Sequence, residues 1–306
     1  MKRFFLSLLM VVVLGSSSWA ANYWLLTDLG SSAQMIGIGG IEGFGDSANS
    51  VFENPASLSR VNSASLSAFT TTILGEITYT NFALANKFSF GTIGIGYMDA
   101  SVGGISHTGQ NTDSIGTHFS VYQFDYKNTI MKLSYEKSVT KTWFVGASLS
   151  QYRMAFDDVN GGVTNFDVGT LYDYGPATFS FSIRNFVVGK KIEFGRNDLG
   201  HVLEELLPFQ TTFGLQYRMG QIDSYLQFKD NGTTNMISLG TCYRLETYPI
   251  SISAGYKQFQ VLDKTKDTLV FGLGLILEDM SFHYAFEKSS HLDFDNKNYF
   301  SMTVKF

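Results

Sequence analysis

Apolar and polar residues alternate in short segments along most of the chain after residue 61. In the last of these segments, Phe300, Met302 and Val304 are separated by the polar residues Ser301 and Thr303. Because successive side chains of a strand point to opposite faces, this pattern predicts a strand with one apolar and one polar face. The same pattern predicts strands at 62–72, 77–87, 91–99, 126–138, 142–155, 165–174, 177–186, 210–218, 222–229, 235–245, 250–259, 268–277, 280–288 and 298–306.

The lengths of the connections depend on whether the preceding strand is even or odd in number. Connections after even-numbered strands are short, as at 175–176 and 278–279, whereas those after odd-numbered strands are mostly long, as at 100–125 and 187–209. Outer-membrane β-barrels have short periplasmic turns and longer extracellular loops, whereas a soluble β-sandwich has no reason to sort its loops this way. The sequence therefore predicts an all-β fold, a transmembrane outer-membrane β-barrel of about 14 antiparallel strands over residues 62–306.

Composition agrees with a membrane barrel and excludes several other classes of protein. Only 16% of the residues are charged, 15% are aromatic, and the 306 residues include 30 Gly and a single Cys. One Cys cannot form an internal disulfide, and a net charge of -5 argues against nucleic acid as a partner. Beyond the N-terminal segment no apolar run reaches the roughly 18 residues of a transmembrane helix, so a membrane-spanning form must cross with strands.

The first residues, 1–20, predict a secretory signal peptide that is cleaved before Ala21. Two basic residues precede an apolar run over 4–14, and the small residues Ser18 and Ala20 fit a cleavage site. A membrane anchor is the alternative, but the run is shorter than the roughly 18 residues of a spanning helix. We therefore expect export, followed by residence in the outer membrane of a diderm bacterium.

Residues 21–61 lack sustained alternation and carry a motif of a different kind. A Gly-rich stretch leads into an Asp-x-Ala step and then into Phe-x-Asn-Pro-Ala-x-Leu; the motif residues are Asp46, Phe52, Asn54, Pro55, Ala56 and Leu58. This combination resembles the N-terminal signature of the FadL-like outer-membrane proteins, in particular the branch that contains the PorV and PorQ proteins. The resemblance implies that residues 21–61 form a plug, or hatch, inside a fourteen-stranded barrel. Two roles stay open for Asn54-Pro55-Ala56, a structural turn and a gate.

The resemblance also implies a function, the uptake or passage of hydrophobic or amphiphilic small molecules. In FadL-like proteins a ligand is captured near the extracellular loops, the hatch shifts, and the ligand leaves sideways through a kink in the third strand. The third predicted strand contains Gly91, Gly94 and Gly96, and Gly within a strand often marks a bend or bulge. These three residues are the candidates for a lateral exit.

The long connection before the eighth predicted strand is rich in Leu. Leu199, Val202, Leu203, Leu206 and Leu207 have the spacing of a short amphipathic helix with one apolar stripe. Such a helix is a candidate for a ligand-capture loop, and a simple cap over the barrel is the alternative.

The predicted inner face of the barrel carries scattered charges rather than a dense ring of one sign, which gives no indication of a sharply ion-selective filter. These inward residues are Arg184, Arg218, Arg244, Lys257, His283 and Glu287. We expect them to pair with each other or with the plug. Cys242 also falls on the inner face and is expected to pack there rather than react.

A second functional hypothesis is a PorV-like role, in which the barrel acts as a partner in protein secretion or surface attachment. The five His residues are scattered, with no Ser or Asp arrangement typical of catalysis, so we expect no enzyme, no cofactor and no metal site. The expected partners are outer-membrane lipid, a hydrophobic small-molecule ligand or secretion-system proteins, and the barrel-insertion machinery. The last of these follows from Phe306, because a terminal strand that ends in Phe resembles the insertion signal of outer-membrane barrels.

Overall fold

A computed structural model of the chain describes residues 26–73, 75–110, 118–157, 159–196, 202–261, 264–288 and 296–306. The expected signal peptide at 1–20 lies outside these residues. Within the described part of the chain, no helix is both long and apolar enough to span a membrane.

Fourteen antiparallel strands form a closed barrel, which confirms the predicted fold class. The barrel strands are β1 (Ala64–Ile73), β2 (Ile77–Phe88), β3 (Gly91–Gln110), β4 (His118–Ser138), β5 (Trp143–Phe156), β6 (Val159–Tyr174), β7 (Ala177–Arg184), β10 (Gln210–Met219), β11 (Ile222–Asp230), β12 (Asn235–Arg244), β13 (Ile250–Val261), β14 (Lys264–Ile276), β15 (Met280–Glu287) and β16 (Lys297–Lys305), and a separate hairpin consists of β8 (Lys191–Arg196) and β9 (Val202–Leu206). Each barrel strand pairs with its neighbours in sequence, β7 pairs with β10 across the hairpin, and β1 closes the barrel against β16.

Residue alternation determines the two faces of the wall. In β4, Lys132, Ser134 and Glu136 are buried on the lumen side, whereas Leu133 and Tyr135 remain 51% and 41% exposed on the outer side. Because the strand has a period of two, each outward apolar residue is followed by an inward polar one. The wall thus presents apolar side chains to lipid and polar side chains to the lumen.

Exposed aromatic residues surround the barrel at the end where the connections are short. They are Phe88, Phe90, Tyr135, Trp143, Tyr172, Tyr174, Tyr217, Tyr243, Tyr248 and Phe306. Aromatic side chains of this kind form a girdle at the membrane interface of outer-membrane barrels, and short turns lie on the periplasmic side. The end with the short turns, which we call the short-turn end, therefore corresponds to the periplasmic rim.

The wall is much taller at β3 and β4 than the sequence predicts. The connection predicted at 100–125 is largely strand, because β3 and β4 pair with each other as far as Gln110 and His118. Beyond Ser101, which pairs with Thr78 near the start of β2, the described part of β3 pairs only with β4. On the other side of the ribbon, Phe124 packs edge-on against Phe156 with 4.9 Å between the ring centroids. The prediction failed here because the polar, Gly-containing sequence lacks the lipid-facing apolar face by which the other strands were recognised.

The expected amphipathic helix at 199–207 is wrong. Val202–Leu206 form β9, which pairs with β8, and Leu199 lies outside the described residues. A helix this short is marginal by itself, whereas pairing with β8 satisfies the backbone groups of both segments. Ile192 of β8 and Leu207, just after β9, are buried against the interior of the barrel. The hairpin therefore folds inward, as a cap does.

Candidate functional site

Residues 26–61, which we call the lumen segment, lie inside the barrel and are almost entirely buried. They form short helical pieces: a 3-10 helix (Leu26–Leu29), helix α1 (Ala33–Gly37), and two further 3-10 helices (Ala48–Phe52 and Pro55–Arg60). Helix α1 packs against β13–β16 and the two later 3-10 helices pack against β1–β6. The segment thus touches the wall over most of its circumference.

Local sequence determines where these short helices begin and end. The Ser32 hydroxyl accepts a hydrogen bond from Met35 N at 3.1 Å and caps α1. The helix ends at Gly37, and the turn after it contains Gly39 and Gly40, whose φ values of +95° and +67° are a conformation that Gly adopts without cost. Asn54 caps the last 3-10 helix in the same way and is followed by a proline that fixes the backbone at the first helical position.

Asn54 also fastens the lumen segment to the wall. Its amide nitrogen lies within hydrogen-bond distance of Thr170 O at 3.1 Å, Ser180 Oγ at 2.9 Å and Phe181 O at 3.2 Å, while its amide oxygen accepts from Ala56 N at 2.9 Å. The amide group therefore joins β6, β7 and the 3-10 helix. This contact network supports the structural role for the Asn-Pro-Ala motif.

Wall glycines provide the space into which the motif residues fit. A β-carbon at Gly146 would collide with the backbone of Pro55 and Ala56, and one at Gly169 would collide with the Asn54 side chain. Close approach of this kind is the usual reason for Gly inside a strand. Sequence analysis identified the motif but missed these partners, which lie far away along the chain.

The glycines of β3 belong to the same packing arrangement. Gly94 faces Val51 and Leu58, and Gly96 faces Phe52, so that a β-carbon at either position would meet these side chains. Val51, Phe52 and Leu58 lie in one buried apolar cluster with residues of the wall. The lumen segment and the wall therefore share a continuous apolar core on this side.

The predicted bend at Gly91, Gly94 and Gly96 is not found. β3 keeps an unbroken register with β2 through all three residues and with β4 from Thr92 onward, and the irregularities in its pairing with β4 lie further along, after Val102 and after His107. Gly91 has a φ of +147° beside a short turn, which explains that residue by its conformation. The three glycines thus have packing and turn roles, and they give no support to a lateral exit.

An ionic cluster holds the opposite side of the lumen segment. Glu42 is bound by Arg184 of β7 and by Lys229 of β11, and Asp28 accepts from Lys229 at 3.1 Å. Arg184 also donates to Gln210 Oε1 at 2.8 Å. Burial alone would raise the pKa of both carboxyls, but the two cations hold the pKa of Glu42 and of Asp28 below the ordinary value. Both acids are therefore ionised and bind the segment to the wall.

Glu53 differs from these two acids because no cation in the described ranges binds its carboxylate. It is 3% exposed, and its carboxylate oxygens accept from Ser31 Oγ at 2.6 Å and from Gly43 N at 2.9 Å. Burial raises the pKa of Glu53 to about 7. This residue connects two parts of the lumen segment to each other rather than to the wall.

Charges of the inner face pair as the sequence predicts. Lys257 contacts Glu287 at 2.6 Å, and Arg244 and Arg218 both face the buried carboxylate of Asp223. The predicted inward residue His283 lines a small cavity beside α1, as does Cys242.

Several charged residues of the lumen were not predicted from the sequence. They are the acids Asp28 and Glu42, the lysine Lys229, and a further buried pair, Lys132 with Asp167 at 2.6 Å. For the strand residues Lys132, Asp167 and Lys229, the signal that could have identified them was a position on the inward face of a predicted strand.

Two predicted residues lie at the short-turn end. Asp46 contacts Lys305 of the last strand at 2.6 Å, with more than half of the Asp46 side chain exposed. The Phe306 backbone exchanges hydrogen bonds with Ala64 where the barrel closes, and the Phe306 ring is 71% exposed. Asp46 is thus a surface contact, whereas Phe306 extends the aromatic girdle.

A small cavity lies beside helix α1 of the lumen segment. It has a volume of about 40 Å³ and lies between α1 and the wall, with Gln34, Tyr225, Arg244, Ser253 and His283 in its lining. A water needs roughly 10–15 Å³ on this measure, whereas pockets for drug-sized ligands measure roughly 300–1,000 Å³. The cavity therefore has room for a few waters. Among the described residues, no group of three or more His, Cys, Asp or Glu is arranged to hold a metal ion.

Known structures share the fold at low sequence identity. The Pseudomonas putida toluene transporter TodX superposes with a TM-score of 0.62 at 13% identity, covering 94% of this chain and 98% of that one. The Ralstonia pickettii toluene transporter TbuX gives 0.63 at 11% identity, over 92% and 100% of the two chains. A Pseudomonas aeruginosa FadL homologue gives 0.57 at 11% identity, over 95% and 99%. The architecture is thus that of FadL-type outer-membrane barrels.

Sequence comparison identifies the family. No curated protein matches the sequence at a significant level. The family model for the type IX secretion system membrane protein PorP/SprF matches residues 110–306, and it does not name the PorV/PorQ branch expected from the motif. The matched family and the similar structures are outer-membrane proteins of secretion and transport, not enzymes. A match over most of the described barrel shows that this chain belongs to the PorP/SprF family of type IX secretion system membrane proteins.

Proposed function

We propose that the protein is a plugged outer-membrane barrel that serves type IX secretion or surface attachment as a partner of other proteins. The observation that supports this most directly is the packing of the lumen segment against most strands of the wall, which leaves beside α1 a cavity of only about 40 Å³, far below the size of a ligand pocket. In this proposal the barrel contributes to secretion through its outer surfaces rather than through its lumen.

The β3–β4 ribbon is the outer surface best suited to a protein contact. It extends beyond the neighbouring strands at the long-loop end, and Val121 and Tyr122 are 54% and 43% exposed on it. Exposed apolar residues above a membrane wall are typical of interaction sites rather than of lipid contacts. We infer that secretion-system proteins approach the barrel from this end.

Complementation of a deletion strain tests the proposal. Cells that lack the gene should fail to secrete a type IX cargo, and the intact gene should restore secretion. A variant in which residues 104–123 are replaced by a two-residue turn should reach the outer membrane at normal levels but should not restore secretion. Normal secretion in both the deletion strain and the ribbon variant would rule out the proposed role.

We also infer that the lumen segment acts as a plug. Its contacts with most strands of the wall support this inference. Deletion of residues 31–52 should convert a barrel of low conductance in planar bilayers into an open channel, because a barrel of this strand number leaves a lumen that side chains of the wall do not fill. Unchanged conductance in a correctly folded deletion variant would contradict the inference.

Passage of hydrophobic small molecules is the second candidate. The shared architecture with two toluene transporters favours it, although this likeness extends to the fold alone. The measurement is mass spectrometry of ligands extracted from protein that has been purified and delipidated. Recovery of a stoichiometric hydrophobic ligand would favour transport, whereas recovery of a stable protein partner without ligand would favour the role in secretion.

A further inference from the structure

Glu53 lies at the centre of the lumen segment and joins parts of it that are distant in sequence. Ser31, which donates to its carboxylate, is 22 residues away, and Gly43 is 10 residues away. The stretch between these two donors, 31–43, contains α1 and the turn that follows it. The carboxylate of Glu53 therefore holds this stretch against the later 3-10 helices.

The charged groups around Glu53 leave its carboxylate without a counterion. Glu42 lies nearby in the same segment and repels it, because Glu42 is itself ionised. Arg184 of β7 approaches, but its guanidinium binds the Glu42 carboxylate, and of Glu53 it contacts only the backbone oxygen at 3.4 Å. In the described part of the chain, no cation forms an ion pair with Glu53.

The remaining titratable groups face Glu53 across the small cavity. Helix α1 brings no charged side chain to this cavity, since its lining residues there are Ala33, Gln34 and Met35. The strands β11, β12 and β15 contribute Tyr225, Cys242, Arg244 and His283 to the same lining. Of these, Arg244 binds Asp223 rather than Glu53. Among the described residues, a negative charge on Glu53 thus has two neutral donors and water-sized space beside it, but no cation.

We propose that protonation of Glu53 controls how tightly residues 31–45 are held in the lumen, so that this part of the lumen segment loosens as the pH rises. A neutral carboxyl carries no charge into the buried site, and its O–H can donate to Ser31 Oγ while the Ser31 hydroxyl turns to Met35 Sδ at 3.4 Å. A charged carboxylate without a counterion is costly to bury, and it gains hydration when the segment moves toward the cavity and the short-turn end. The proposal concerns the lumen segment alone and does not rest on a role in secretion.

The direction of the pH effect follows from linkage. Burial places the pKa of Glu53 at about 7 in the held state, against an ordinary value of 4.5 once the side chain is hydrated. The stabilisation of the held state is therefore complete below pH 4.5 and is lost as the pH rises toward about 7. Across this interval the population of the loosened state increases about tenfold per pH unit, and it levels off above the higher value.

Hydrogen exchange on the full-length protein in detergent tests the proposal. After correction for the intrinsic pH dependence of exchange, protection of residues 31–45 should fall by about one to two orders of magnitude between about pH 5 and about pH 8. The variant Glu53→Gln removes the titrating group while keeping its shape, so protection should be independent of pH. Asp46→Asn is the matched control, since it removes an exposed acid from the same segment, and it should keep the wild-type response.

Each result decides for or against the proposal. Wild-type protection that does not change with pH, or the same change in Glu53→Gln as in the wild type, would overturn it. If Glu53→Gln does not fold, Ser31→Ala provides an independent test. Loss of the Ser31 hydroxyl removes a hydrogen bond that favours the charged form of Glu53. The pH at which protection levels off should therefore move upward. An unchanged dependence of protection on pH would also overturn the proposal.

Discussion

The two sides of the lumen segment are held to the wall by different kinds of interaction. Toward β3, apolar side chains such as Phe52 and Leu58 fit into space left by wall glycines. Toward β7 and β11, Arg184 and Lys229 bind the carboxylate of Glu42. Packing on the first side depends on the fit of apolar side chains to the wall, and binding on the second side depends on compensation of the Glu42 charge. Mutations on the two sides should therefore destabilise the protein by different mechanisms.

Removal of the central cation should have the largest effect. Arg184→Leu leaves Glu42 buried with one partner fewer and also removes donors to Gln210 and to the Phe52 backbone. Breaking a buried ion pair at one partner costs about 3–5 kcal/mol. We expect a marked fall in the thermal unfolding temperature of the purified barrel and frequent opening events in single-channel recordings.

A double variant distinguishes uncompensated charge from lost packing. Arg184→Leu combined with Glu42→Gln removes the carboxylate that loses its partner in the single variant, and it should be more stable than Arg184→Leu alone. Equal instability of the single and double variants would show that Arg184 acts through packing, and the contrast between the two sides would then be weaker.

Overpacking of the glycine side should have the next largest effect. Gly146→Val places two methyl groups against the backbone of Pro55 and Ala56, which cannot move aside as a flexible side chain can. We expect a loss at the upper end of about 1–3 kcal/mol, even though Val itself favours strands. The control is Ala147→Val, because Ala147 faces outward and is exposed; similar losses in both variants would argue against a glycine-based fit.

Truncation of the motif asparagine should have a smaller effect. Asn54→Ala removes the amide that bonds to β6, β7 and Ala56 N, and we expect a loss of about 1–2 kcal/mol. Exchange protection of residues 54–60 should fall more than that of the strands. A change confined to conductance, with protection unaltered, would instead favour the gating role for this motif.

The exposed contact at the short-turn end should have the smallest effect. Asp46→Asn removes the pair with Lys305, and both side chains are at least one-third exposed. Surface ion pairs contribute less than about 1 kcal/mol. Unfolding temperature should therefore change by no more than a degree or two, and a larger shift would mean that the lumen segment depends on its surface contact as well.

The sequence allowed the barrel to be predicted because strand alternation is a local property. The faces of β4 and β16, for example, can be derived from residues next to each other in the chain. The tall β3–β4 ribbon escaped the same reasoning, since Val102–Gln110 lies above the lipid and has no apolar face to maintain. The β8–β9 hairpin was mistaken for a helix because its Leu spacing fits both structures, and only pairing decides between them.

The candidate site was harder to predict than the barrel because its contacts join distant parts of the chain. The motif at 52–58 could be recognised, but its partners Gly146 and Gly169 could not, since a strand glycine has several explanations. Glu42 lies in a Gly-rich stretch, and its partner Arg184 is 142 residues away. Long-range pairing of a single acid with a single base leaves no local pattern.

One contact of the lumen segment has a consequence for assembly. Ala33 N donates to Ser301 Oγ at 3.2 Å, so helix α1 is bonded to β16, 268 residues further along the chain. β16 is also the strand that closes the barrel against β1, which directly follows the lumen segment. Complete packing of α1 therefore requires that the final strand of the chain is already in place. The order of events during membrane insertion follows: the N-terminal segment, although synthesised first, is among the last parts of the molecule to reach its native contacts.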